Sequence, residues 1–130
     1  MKTILLVDNE LHLLANVVEI LNMFGYKVIP RPDAESALSV IQDRTDIDLV
    51  ITDYRMPGMN GVEFLTILRK ALPSVPVIML SGYSSVEIYL QSLSLGAFEY
   101  LNKPIKEKEL YYTVRSALQR SADDSALLVS

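Results

Sequence analysis

Five short apolar runs recur along the chain, at residues 3–7, 26–30, 48–52, 75–80 and 98–101, and each is followed by a segment of helical period. Most run on in apolar character instead of alternating, the mark of strands covered on both faces. The first intervening segment, 10–24, repeats Leu11, Leu14, Val18 and Leu21 at helical spacing and meets a natural stop at Gly25. Asp33 caps a second helix through Ala34, Ala37, Leu38 and Ile41. The third, 61–72, carries Val62, Leu65 and Leu68 and closes at Pro73; the fourth, 84–95, ends at Gly96; the fifth spans 106–120. Repeated strand–helix units with short connections predict an α/β fold, a doubly wound parallel sheet of five strands with helices on both faces.

With 130 residues, half of them apolar and 22% charged, the chain suits one globular domain with a real core. The domain is expected over 1–120. The stretch 121–130 is small and polar before Leu127-Leu128-Val129 and reads as a C-terminal tail or a truncated linker. A net charge of −4 argues against non-specific binding of nucleic acid or of an anionic membrane. The absence of cysteine excludes disulfides and thiolate metal sites, and a single histidine, His12, makes a poor start for zinc. No apolar run reaches the length of a membrane span, and Met1-Lys2-Thr3 leads straight into a strand, so the cytoplasm is the expected location.

An open doubly wound sheet binds ligands at the carboxyl ends of its strands. Four polar residues fall there: Asp8 after the first strand, Asp53 after the third, Ser81 after the fourth and Lys103 after the fifth. Singly, each has an ordinary explanation. An Asp after a strand is most often a helix cap or a turn residue, and a lone Lys is most often a solvated charge. Together at one sheet edge they describe a site for a divalent metal and a phosphoryl group. Asp8 and Asp53, with the amide of Asn9, supply the hard oxygens that suit Mg²⁺. Asp53 is also a candidate nucleophile forming an acyl phosphate, with Lys103 neutralising charge and Ser81 donating to a phosphoryl oxygen. Lys103-Pro104 is a candidate cis peptide.

Several separated segments carry a resemblance: Leu6-Val7-Asp8-Asn9-Glu10, the stretch from Asp53-Tyr54-Arg55-Met56-Pro57-Gly58 to Gly61, Leu80-Ser81-Gly82, Gly96-Ala97, and Tyr100-Leu101-Asn102-Lys103-Pro104. Over about residues 2–120 the chain resembles the receiver domain of bacterial two-component response regulators. The resemblance implies a flavodoxin-like sheet of order 2-1-3-4-5, an arrangement that a receiver protein itself exemplifies. It also implies Asp53 as phosphoacceptor, Lys103 as its phosphoryl contact, and Ser81 and Tyr100 as switch residues. Asp8, Asn9, Asp53 and the backbone carbonyl of Arg55 would hold Mg²⁺, and the side chains of Arg55 and Tyr83 would flank the path of an attacking water. One departure stands out. Asn9 occupies a position that is usually acidic, which keeps an oxygen but removes a charge.

Two other phosphoryl-site folds fit less well. A dehalogenase-type phosphatase needs an Asp two residues after its nucleophile, where this chain has Arg55, and a flavodoxin needs an uncharged phosphate loop where this chain has Asp8-Asn9-Glu10. A phosphorylation-independent interaction module on the same fold remains the alternative. No enzymatic activity beyond self-phosphorylation and its reversal is expected. The expected partner is a sensor histidine kinase or a phosphotransfer protein. Between Ala71 and Phe98 the only charged residue is Glu87, and the fourth helix carries more apolar residues than one face buries. By resemblance, that helix with the fifth strand and fifth helix forms the output face, including Tyr89, Tyr100 and Tyr112, with a homodimer as the expected form.

Overall fold

The computed structural model describes residues 1–82 and 85–129. Five strands, β1 (Thr3–Val7), β2 (Lys27–Arg31), β3 (Leu49–Asp53), β4 (Val77–Ser81) and β5 (Glu99–Asn102), alternate with five helices. These are α1 (Leu11–Met23), α2 (Ala34–Asp43), α3 (Gly61–Ala71), α4 (Val86–Ser94) and α5 (Glu107–Val129). All strand pairs are parallel and the order is β2-β1-β3-β4-β5, as the sequence pattern and the resemblance imply.

Side-chain alternation splits the core in two. Leu5 and Val7 of β1 point to the layer of α2, α3 and α4, where Ala37, Phe64, Leu65, Leu68 and Ile88 pack. Ile4 and Leu6 point to the other face, against Leu14, Val17 and Leu21 of α1 and Leu110, Val114 and Ala117 of α5. β1, β3 and β4 are buried at every position, which is why they read as unbroken apolar runs. β2 differs. Only Ile29 is buried in it, because it lies at an edge of the sheet; its span, like those of β3 and β5, begins and ends one residue later than expected, and β4 begins two later and ends one later. Pro30 is admissible there because an edge strand has one row of amides without a ladder partner.

α5 continues to Val129, past the expected end at Arg120. Residues 121–129 contain neither Gly nor Pro, so nothing in the backbone stops the helix. The expected start of the fourth helix, Ser84, lies outside the described residues, as does Tyr83; Ser85 caps α4 by accepting from the Ile88 amide at 3.3 Å. The Lys103-Pro104 peptide is cis.

The register aligns the carboxyl ends of the strands. Leu6 pairs with Ile51 and Val7 with Thr52, so Asp8 and Asp53 emerge beside each other. Ser81 pairs with Asn102, and the Lys103 amide donates to the Ser81 carbonyl at 2.8 Å. The loop after β3 folds back to start α3, with the Gly61 amide donating to the Tyr54 carbonyl at 2.7 Å and a reciprocal cap between Asn60 and Glu63. Gly61 is the contact point. A Cβ there would stand 2.5 Å from the Asp53 carbonyl oxygen and 2.8 Å from both Tyr54 Cα and Met79 Sδ. Gly61→Ala should therefore destabilise the fold by about 1–3 kcal/mol through overpacking. Gly82→Ala, whose Cβ would meet nothing nearer than Lys103 Cδ at 3.8 Å, should stay within about 0.5 kcal/mol. Urea unfolding of both variants checks this; equal midpoints would mean that α3 shifts freely against β3.

Candidate functional site

Asp8 follows β1 and is buried. One of its oxygens, Oδ1, accepts from the Glu10 amide at 2.9 Å, a short-range turn that fixes the carboxylate and begins α1 with Glu10 as its cap residue. The other, Oδ2, is buried and accepts no well-directed hydrogen bond; it lies 3.0 Å from Lys103 Nζ. Asp53, only 3% exposed at the end of β3, places its own Oδ2 3.0 Å from the same ammonium. Glu10 reaches in from the start of α1 to 3.1 Å. One lysine nitrogen thus faces three carboxylates.

The electrostatics follow from this crowding. Burial raises the Asp53 carboxyl, the Lys103 hydrogen bond pulls it down and the Asp8 charge raises it again, leaving it above the ordinary carboxylate value. For Lys103, burial works against the ammonium, but the contacts with Asp8 and Asp53 outweigh burial and hold it above the usual lysine value.

Above Asp53 opens a cleft of about 130 Å³ lined by Glu10, Asp53, Arg55, Gly82 and Lys103. Ligand oxygens of Asp8, Glu10 and Asp53 lie within 4.8 Å of one another. This set fits a hard cation: all donors are carboxylate oxygens, and a buried Asp8 oxygen lacks a directed hydrogen bond. Glu10 was not among the expected ligands. Its signal in the sequence was its place two residues after Asp8, but a surface glutamate opening a helix has a simpler meaning as a charge beside the helix N-terminus. Asn9 is exposed, and His12 is exposed on α1. Ser81 is buried at the end of β4, and Arg55 lines the cleft.

Tyr100 is buried in the α3–α4 layer, its ring edge-on to Tyr89 at 5.7 Å. Tyr112 belongs to a different aromatic group, joined through Tyr111 at 5.2 Å to Phe24 after α1. The tyrosines expected on one face therefore make two ring clusters.

The family model for the response regulator receiver domain matches residues 4–115. The transcriptional regulatory protein CpxR of Escherichia coli is 40% identical over 121 residues, covering 93% of this chain and 51% of the relative. The phosphate regulon transcriptional regulatory protein PhoB of Pseudomonas aeruginosa is 32% identical, covering 92% of this chain and 53% of the relative. The chain spans about half the length of these curated relatives. A CheY-like response regulator receiver domain protein from Methanospirillum hungatei superposes with a TM-score of 0.91 at 31% identity, over 95% of this chain and 98% of that one.

The raised Asp53 value has a stability consequence. The folded state binds this proton more readily than the unfolded chain does, so ionising Asp53 costs stability. The cost is absent at low pH and grows as pH rises from the ordinary carboxylate range through the raised folded value. In metal-free buffer at pH 7, Asp53→Asn should unfold at higher urea than the wild type, and the two should converge below the ordinary carboxylate range. A variant no more stable at pH 7 would mean that Lys103 more than offsets the burial of the Asp53 charge.

Proposed function

We propose that this chain, which belongs to the response regulator receiver domain family, takes up a phosphoryl group on the Asp53 carboxylate. The observation that carries the residue assignment is the Lys103 ammonium 3.0 Å from Asp53 Oδ2, beside an open cleft at the carboxyl edge of the sheet. In this reading the Asp53 oxygen attacks the phosphorus of a phosphohistidine on a sensor kinase or phosphotransfer protein. The new O–P bond forms as the N–P bond breaks, and the imidazole leaves with its electron pair. Lys103 balances the charge on the transferring group, and the Ser81 hydroxyl donates to one of its oxygens once it is bound. Asp8, Glu10 and Asp53, with the Asn9 amide and the Arg55 carbonyl as further oxygens, would hold Mg²⁺, whose chemistry when bound is to neutralise phosphoryl oxygens. Glu10 restores the carboxylate count that Asn9 lowers, which favours a working receiver over a phosphorylation-independent module. Arg55 and Tyr83 are proposed to shield the acyl phosphate from water.

Residues 1–120 form the functional domain in this reading, and the cytoplasm is its proposed location. Among the described residues no helix is long and apolar enough to cross a membrane. Output is proposed through α4, β5 and α5, where Val86 is 75%, Leu90 58% and Tyr112 59% exposed. Movement of Ser81 toward a new phosphate and repacking of Tyr100 against Tyr89 would change that surface by population shift, altering self-association or the docking of a partner.

The decisive experiment is intact mass after incubation with Mg²⁺ and acetyl phosphate. The wild type should gain one phosphoryl group and Asp53→Asn none; equal gain in the variant would overturn the assignment. The metal set is tested by calorimetric titration of Mg²⁺. Asn9→Asp should tighten binding by adding a carboxylate to a hard-cation site, and Glu10→Gln should weaken it. Unchanged binding in both would place Asn9 and Glu10 outside the metal shell.

A further inference from the structure

At the sheet edge opposite the carboxylates lies a second cavity, of about 410 Å³. Its walls come from the end of α3 and the turn at 73–76, from residues 96–98 before β5, and from α5 at Ala117, Arg120 and Ser121. Two guanidinium groups line it, Arg69 and Arg120, and among the described residues no carboxylate does. In a chain of net charge −4 that is a local reversal of sign.

Arg69 is half-buried in the last turn of α3, where helix carbonyls favour a cation. That placement explains its charge but occupies few of its donors. One Nη donates to the Val75 carbonyl, while Nε is buried without a hydrogen-bond partner. Its stem passes beneath Gly96, where a Cβ would come within 3.0 Å of Arg69 Cδ, so the side chain is held in place by packing. Burial lowers its pKa, and among the described residues no acid offsets that effect. The Arg120 guanidinium is held over the Phe98 ring at 5.8 Å. The Ser121 hydroxyl donates to the Ser74 carbonyl at 3.4 Å and ties α5 to the turn. Carbonyls, a ring and packing thus position both cations, and none of these neutralises them.

A guanidinium fork with free donors matches the planar pair of oxygens on a carboxylate or phosphate. The cavity falls within the range of about 300–1,000 Å³ usual for small-molecule sites. The remaining wall offers an apolar patch of Pro73, Pro76, Ala97 and Ala117 beside the Ser74 and Ser121 rim. We propose that this cavity binds a small organic oxyanion, its charged group on Arg69 and Arg120 and its apolar body against Pro73, Pro76 and Ala117. The proposal is independent of phosphoryl transfer at Asp53.

The test is amide-shift titration of the ¹⁵N-labelled chain, without metal and at constant ionic strength. The probes are phenyl phosphate, benzoate, inorganic phosphate and, as a neutral control, benzyl alcohol. Phenyl phosphate or benzoate should give saturable shifts at 74–77, 96–98 and 117–121, and their relative affinity tells phosphate from carboxylate preference. Inorganic phosphate should bind more weakly than phenyl phosphate, having no apolar body. Arg120→Gln should weaken binding about tenfold or more through loss of a charge-assisted hydrogen bond. Ser74→Asp, an exposed change that puts a carboxylate at the rim, should weaken it similarly and decides the matter if Arg120→Gln does not fold. Non-saturating shifts, equal shifts with benzyl alcohol, shifts confined to the Asp8–Asp53–Lys103 edge, or affinity unchanged in the folded variants would overturn the proposal.

Discussion

The ammonium of Lys103 is what allows two buried aspartates to stand side by side. Parallel pairing of β1 with β3 delivers Asp8 and Asp53 to adjacent strand ends, and the register leaves them no alternative. Two carboxylates so placed repel, and each loses hydration on burial. Lys103 arrives from beyond β5, with its backbone anchored on the Ser81 carbonyl, and lies 3.0 Å from an oxygen of each. The close seating of α3 against the Asp53 carbonyl at Gly61 prevents the third strand end from backing away. The site is therefore a compressed charge cluster with one internal cation and a solvent-facing opening. A metal ion and a phosphoryl group would together extend the same alternation of sign.

Much of this was legible in the sequence because the fully buried strands leave no room for polar residues until they reach the edge. An unbroken apolar run that stops at Asp8 or Asp53 marks both the strand and the carboxylate at its end. Where burial is partial, the signal fades. In β2 only Ile29 is buried, so its pattern marks a strand less sharply than those of β1, β3 and β4 do. The extension of α5 was hidden because small polar residues permit a helix without announcing one. Glu10 was missed for a different reason. Its position depends on the turn that bonds its amide to Asp8, which brings an otherwise ordinary surface glutamate to the lysine. The pairing of Tyr112 with Tyr111 and of Tyr100 with Tyr89 was equally invisible, since ring contacts are set by the third dimension and not by spacing along a helix.

The two edges of the sheet carry opposite electrostatic problems. At the carboxyl edge, three acids share one internal cation; at the amino edge, Arg69 and Arg120 line a cavity to which no described residue brings an acid. β4 and β5 run between these edges, and α5 spans from one toward the other. A rigid, doubly covered sheet of this kind keeps such sites apart, because buried strands offer little room to relax one charge cluster toward another.

Pro30 has a consequence for the chain at high concentration. In β2 the Lys27 amide donates inward to the Lys2 carbonyl, and the Arg31 carbonyl accepts inward from Asp8. Alternation along the strand turns position 30 the other way, so the row of amides offered to the outside is interrupted in its middle by a residue with no N–H. A stray strand from another molecule finds no continuous ladder there, and the neighbouring Lys27 and Arg31 add charge to the same border. The β2 border thus offers an incoming strand a broken ladder, which disfavours fibril-like lateral growth on that side.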